Sequence, residues 1–558
     1  MPKRYFFSPW LFFIALFGFI IWKLVECHCF PDPRVVSQAK RQYWSRTPVR
    51  GSRGVILDSN GNYLASSVPA SSFFLDPDHW SQSDAPALEG LIPDPVYKRI
   101  SGPLEGRYIR LVRKVSPEVA EKIRELRLKG VYEEREGRRV YHNGGLMSHV
   151  LGFCDVDDNG QAGIELAWDS MLYNPSGYRM MIRQSGGRSL IMGDDGNNNN
   201  GVSAVKLTID ARIQYIVEKY LSETSVLHKA KWGAAVCINP NTGAVLSMAS
   251  WPAFDPNKRE ELAKPENIVN NAVGRVYEPG STFKPIYMGI AIEEGLVRTN
   301  EAFNCPASIK VADGSISEAY PKAMGRLSTA ELLIKSSNVG MAQIGIRSKP
   351  MDIYRTLLNW GFGKVSDIEL KGTERGIMAS PGLWRGVIPA NISIGQGLAV
   401  TPLHLAVATA AIVNGGKLLS PYIIQEATDS RGDVIYRGRK NVVRDVLTDE
   451  TCSWLRKVMR DTVLSGTGRQ ADTQVTEIAA KTGTAQIAEK GKYVKGRYVS
   501  SFIGFWPYKD PQYLMLLVIG EPSGGTYYGG ELAAPTFKRI VEAMADLEIF
   551  EPMRKKTQ

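Results

Sequence analysis

"VYEPGSTFKP", residues 276–285, sets a hydroxyl and an amine three positions apart, Ser281 and Lys284, directly after a Pro-Gly pair and directly before another proline. If a helix begins here, positions i and i+3 share a face with Cβ atoms roughly 5–6 Å apart, close enough for a lysine to reach a hydroxyl. That is the geometry of a nucleophile and its base. Gly280 lets the chain turn tightly into the helix, and Pro285 is tolerated because N–H groups of the first turn lack internal partners. Taken alone, the same four residues also describe a capping serine and a solvated lysine.

Two further strings decide between these readings. "KSSNVG" (335–340) holds Ser336, Ser337 and Asn338, 55 residues after Ser281, and "KTGTAQ" (481–486) holds Lys481, Thr482, Gly483 and Thr484, 143 residues after Asn338. Alone, the first is a helix cap and the second a surface turn. In the order S-x-x-K, S-x-N, K-T-G the set resembles that of penicillin-binding proteins and class A β-lactamases. On this reading Ser281 is the nucleophile and Lys284 its base, with the N-terminus of the following helix directing partial positive charge at the site. Bringing a lysine from about 10.4 to about 7–8 requires on the order of 4 kcal/mol of destabilisation of its charged form, which burial and the neighbouring cation Lys481 are expected to supply. Ser336 relays protons to the leaving amine, and Asn338 holds Lys284 and the substrate amide. Lys481 with the hydroxyls of Thr482 and Thr484 offers a seat for a carboxylate. Gly483 leaves room for substrate along a strand. The N–H groups of Ser281 and Thr484 are expected oxyanion donors, worth about 3–4 kcal/mol each.

The resemblance extends over nearly the whole chain. "RGVILDSNGNYLA" (53–65) is similar to the first signature of class B penicillin-binding proteins, with Ser59 where Arg is usual, and "SHVLGFCDVDDNGQAGIELAWD" (148–169) to their pedestal module. "YYGGELAAPTFKRI" (527–540) resembles the end of their transpeptidase domain, and "LASSVPASSFFLDP" (64–77) points to the division-specific branch. The family implies an α/β (α+β) penicillin-binding, serine β-lactamase-like fold with an antiparallel sheet, an elongated β-rich pedestal and one transmembrane helix. It also implies a peptidoglycan D,D-transpeptidase that cross-links stem peptides through a serine acyl-enzyme and is acylated by β-lactam antibiotics. Its partners would be the membrane, a septal-wall polymerase and other division proteins, with no cofactor, metal or nucleic acid. An elongation-specific transpeptidase and a non-catalytic penicillin sensor or scaffold are the alternatives.

Composition agrees with a folded, multi-domain envelope protein. The chain has 558 residues, 44% hydrophobic and 22% charged, and its net charge of +11 is spread along it, with no dense basic tract beyond "RGRK" at 437–440. From Tyr5 to Trp22 there are 18 residues without a charge, and Lys23 can snorkel to extend the span to Val25. No small-x-small cleavage site follows, so a retained anchor is expected. Basic residues flank both ends, Lys3 and Arg4 on one side and Lys23 and Arg34 on the other, so charge does not fix orientation. The family does, since its substrate lies outside the inner membrane: N-terminus cytoplasmic, bulk extracytoplasmic. Six cysteines are too few for a disulfide framework, Cys237 reads as a buried thiol, and Cys27, His28 and Cys29 are too few ligands for zinc.

The expected organisation is a tail and anchor (1–30), a pedestal (31–204), a transpeptidase domain (205–550) and a short tail (551–558). Ser116 caps a helix beginning at Pro117, with Gly130 after its end, and 185–204 makes a polar loop. Asp210 caps an amphipathic helix through Ile213, Ile216, Val217 and Leu221, and 232–250 forms a hairpin. A second strand pair flanks "YKDP" at 508–511, and Phe537, Ile540, Val541 and Met544 stripe a final helix.

Overall fold

A computed structural model describes residues 9–29, 34, 44–50, 53–104, 108–173, 175–183, 189–195, 202–320, 322–489 and 492–553. These fall into two compact units, one of residues 1–52 with 174–201 and one of 53–173 with 202–558.

In the smaller unit, helix α1 (Pro9–Cys29) carries no charged residue before Lys23, which pairs with Glu26 at 2.7 Å, and its large apolar side chains are exposed. At about 31 Å for 21 residues it is long enough to cross a membrane. Its described part runs on past Val25; the residues that precede Pro9, with Lys3, Arg4 and Tyr5, lie outside the described residues. The segments Trp44–Arg50, Pro175–Arg183 and Ser189–Asp195 form an antiparallel three-stranded sheet. Ser189–Asp195 corrects the expected loop at 185–204: the run "SLIM" has strand propensity that its Gly- and Asn-rich surroundings obscured.

The larger unit opens with strands β1 (Val55–Leu57), β2 (Tyr63–Leu75), β3 (Ile109–Val115) and β4 (Val131–Tyr141), followed by β5 (Val202–Leu207). Asp58 makes the first turn by accepting from the backbone N–H groups of Asn60 and Asn62. Helix α2 (Pro117–Glu125) is capped by Ser116 as expected, but it ends at Glu125 and Arg127, not Gly130, takes the first left-handed conformation after it (φ 47°). The two quoted pedestal strings meet in a buried ion cluster. Glu165, fully buried, accepts from Arg53 Nε at 2.5 Å and Arg139 Nε at 2.7 Å, and Arg53 also donates to Asp169 at 2.7 Å.

Beyond β5, helix α3 (Ala211–Leu227) starts at Asp210, whose carboxylate accepts from the Arg212 N–H at 2.8 Å. Strands β6 (Trp232–Ile238) and β7 (Val245–Trp251) form the expected hairpin. Farther on come β8 (Ile424–Asp429), β9 (Val434–Arg437), β10 (Ala479–Glu489), β11 (Lys492–Trp506) and β12 (Tyr513–Gly520). Five of these make an antiparallel sheet in the order β7-β6-β12-β11-β10, so β10 is an edge. Its inner strands β6 and β12 are buried on both faces, hence their near-continuous apolar runs. One face packs on Ile213, Val217 and Leu221 of α3 and on Phe537, Ile540, Val541 and Met544 of the last helix, Ala533–Asp546, with Cys237 buried beneath them. The other packs on helix α6 (Pro402–Val413), against which α4 (Lys284–Glu293) lies, with α5 (Asn338–Gly345) in the same core.

The N-terminal sheet does not stop at the pedestal. Its order is β9-β8-β5-β1-β2-β3, with β4 also paired to β2, and β1 runs parallel to β5. Strands from either side of residue 204 therefore share one ladder.

Candidate active site

Gly280–Phe283 form a single 3₁₀ turn that runs into α4, and Gly280 has φ +56°. Only glycine adopts that conformation freely, and a Cβ here would also press on Ala485 and the Thr484 carbonyl at 3.1 and 3.2 Å. Ser281 is half-buried at this turn, and Pro285 occupies the first turn of α4.

Lys284 is fully buried. Its amine donates to the Ser336 carbonyl at 2.7 Å, to Asn338 Oδ1 at 2.8 Å and to Ser336 Oγ at 3.3 Å. From β10 the equally buried Lys481 donates to the same Ser336 Oγ at 2.9 Å and to the Thr482 carbonyl at 3.0 Å. One hydroxyl thus stands between two buried amines. Ser336 itself has φ +59°, an uncommon backbone conformation for serine that here turns its carbonyl and hydroxyl to the same amine. Ser337 is the helix cap, accepting from the Gly340 N–H at 3.0 Å. Capping and chemistry are therefore divided between neighbouring serines.

Three expectations need correction. The Lys284 amine does not rest on Ser281: among the described residues the Ser281 hydroxyl makes no hydrogen bond, because a buried amine is better satisfied by the carbonyl and amide oxygens of Ser336 and Asn338. Gly483 does not keep space for a ligand. A Cβ on it would strike Ser501 Oγ at 2.3 Å and Thr282 Cγ2 at 2.8 Å, so the missing side chain lets the Ser281 turn pack on β10. The hydroxyls of Thr482 and Thr484 are not an open pair: the first is bonded to Thr467 at 2.7 Å, and the second accepts from the Gly529 N–H at 3.0 Å, keeping its own hydrogen to donate.

Burial pushes the Lys284 amine down to about 7, against Glu318, whose charge raises it. Burial also drives Lys481 well below the ordinary lysine range, and Lys284 beside it adds to the effect. The cation–cation contribution foreseen at Lys284 thus falls on Lys481, and burial is what lowers Lys284.

A family profile described as "Penicillin binding protein transpeptidase domain" matches residues 233–542, and one described as "Penicillin-binding Protein dimerisation domain" matches 48–202. The chain belongs to the class B penicillin-binding proteins. As such it is a serine-type peptidoglycan D,D-transpeptidase. It is 32% identical over 520 residues to the peptidoglycan D,D-transpeptidase FtsI of Escherichia coli strain K12, covering 90% of this chain and 85% of that one. It is 31% identical over 545 residues to stage V sporulation protein D of Bacillus subtilis, covering 95% and 84%. Among solved structures, penicillin binding protein 3 of Mycobacterium tuberculosis, complexed with aztreonam, superposes with a TM-score of 0.69 at 26% identity, over 91% of this chain and 98% of that one.

Two parts of this class B site carried no sequence signal. Glu318 lies 18 residues before Ser336, with nothing in the local pattern to separate it from Asp313. It is buried, and it accepts from Ser337 Oγ at 2.5 Å and from the Asn338 and Val339 N–H groups at 2.7 and 3.3 Å. Close by, Tyr320 stacks on Tyr528 with ring centroids 5.4 Å apart, joining the segment that holds Asn338 to the one whose Gly529 holds Thr484.

Proposed function

We propose that this protein cross-links peptidoglycan stem peptides at the division septum, with Ser281 as nucleophile and Lys284 as its base. The observation that carries the proposal is the buried cluster of Lys284, Ser336, Asn338 and Lys481, in which a lysine near 7 is available as a neutral base at physiological pH. Ser281 attacks the penultimate D-alanine carbonyl, its proton passes to Lys284, and the carbonyl oxygen is met by the N–H groups of Ser281 and Thr484. Ser336 Oγ, bridging both amines, returns a proton to the departing D-alanine. Asn338 keeps Lys284 in place. A substrate carboxylate arriving beside Lys481 favours its ammonium form, since an opposite charge stabilises the charged state. A second stem's amine then attacks the acyl-enzyme and completes the cross-link. β-Lactams acylate the same serine. An extended stem can lie along edge strand β10.

The same reading makes α1 a single inner-membrane anchor with a cytoplasmic N-terminus, since the substrate lies outside, and residues 31–204 and 205–550 the pedestal and transpeptidase portions. A septal-wall polymerase and other division proteins are the partners it implies. The full-length Ser281→Ala protein should lose covalent labelling by fluorescent penicillin; persistent labelling would reassign the nucleophile. A fluorescent fusion should collect at midcell, and a side-wall signal would favour the elongation role instead. Protease added to intact spheroplasts should digest the chain beyond residue 30.

A further inference from the structure

We propose that Glu318 is a positioning residue for the acylation step, holding the Ser336–Asn338 turn in shape and placing a buried carboxylate behind the cradle of Lys284. The carboxylate lies at the N-terminus of α5, where it takes up three donors from Ser337, Asn338 and Val339. Helix N-termini favour such an anion. The same residues build the cradle of Lys284: the Asn338 side chain accepts from the lysine amine and donates to the Ser317 carbonyl at 3.0 Å, next in sequence to Glu318. The carboxylate thus fixes the backbone from which Asn338 reaches the amine.

Its charge matters because the site is short of counter-ions. Around Lys284, among the described residues, β10 supplies Lys481, the 317–320 segment supplies the carboxylate of Glu318, and the turn before α5 and α5 itself supply the uncharged Ser336 and Asn338. Burial disfavours the ammonium form, and Glu318 opposes that effect. The balance keeps the lysine protonatable near neutrality, so that after taking the proton of Ser281 it remains charged long enough to pass it on.

The inference rests on the reading of Lys284 as the base, and its test separates the two. Second-order acylation of the full-length detergent-solubilised protein by a fluorescent penicillin is followed from pH 5.5 to 9. Glu318→Gln should move the acidic midpoint down by about one pH unit, raising the pH 6 to pH 8.5 rate ratio roughly fivefold over wild type. Glu318→Asp, which keeps the charge, should restore the midpoint. Ser337→Ala removes one of the carboxylate's hydrogen bonds and leaves its charge, so it should lower the rate at every pH with the midpoint unmoved. A merely structural role predicts the same uniform loss for Glu318→Gln. An unmoved midpoint in Glu318→Gln, or in Ser337→Ala a shift as large as that expected of the charge change, overturns the proposal; the second arm stands even if Glu318→Gln does not fold. Acylation retained in Lys284→Ala would instead overturn the assignment of the base.

Discussion

Lys284 is charged below about 7 and neutral above it, and only the neutral amine can accept a proton. Acylation should therefore climb from pH 6 to pH 8 and then level, and Lys284→Ala should lose about 10²–10⁴-fold at the plateau, both measured by stopped-flow with a chromogenic β-lactam. Gly483→Ala tests packing. With 2.3 Å to Ser501 Oγ and 2.8 Å to Thr282, the added methyl has to displace the Ser281 turn, so acylation should fall while Lys284 keeps its pH midpoint. At this scale the sequence was informative wherever residue type alone restricts chemistry: Ser336, Asn338 and Lys481 converge on Lys284 as their order suggests. It was silent where a role depends on what packs alongside. Glu318 lies outside the three motifs, and the purpose of Gly483 is visible only once Thr282 and Ser501 are in place.

Helix α3 shows how far local rules carry an element. Asp210, Ile213, Ile216, Val217 and Leu221 gave both its start and its buried face, and both are as expected. The Asp210 carboxyl, despite burial that pushes it up, is held below the usual aspartate range by Arg212, Asn60 and backbone donors. A depressed carboxyl stabilises the folded chain above its unfolded pKa, and that contribution fades as pH falls through the folded value. Asp210→Ala should cost about 1 kcal/mol at pH 7 and less at pH 3, read from urea unfolding at the two pH values. Helix α6 is the counterexample. Ten of its twelve residues are buried, so it has no polar face and no periodic signature for a sequence to reveal. The end of α2 was likewise misplaced because Arg127 adopts the left-handed conformation that glycine was expected to take.

For the whole molecule, Glu165 ties together distant points of the N-terminal part of the larger unit, since its buried carboxylate pairs with both Arg53 and Arg139. Glu165→Ala would leave the buried Arg139 without a carboxylate and Arg53 with Asp169 alone, a loss of about 3–5 kcal/mol that should appear as a lower melting temperature in differential scanning calorimetry. The two quoted strings contain Arg53 and Glu165, but nothing in either says that they meet; the ion cluster is what joins them. Sequence blocks suggested a boundary near residue 204, yet β5, β8 and β9 complete a ladder begun by β1 and β2. Pairings between strands some 150 to 220 residues apart leave no trace in local pattern.

That ladder bears on how the protein can be handled and how it is built in the cell. Cutting at the apparent boundary to obtain the catalytic half alone strips β1 from β5 and uncovers a row of unsatisfied amides and carbonyls, an adhesive border for a neighbouring copy. A 202–558 fragment, which keeps β5 whole but lacks β1, should elute from a sizing column as oligomers, whereas one beginning at residue 53 stays monodisperse. Because the chain is made and delivered N-terminus first, β1 and β5 arrive long before β8, so the catalytic half matures against a template already in place.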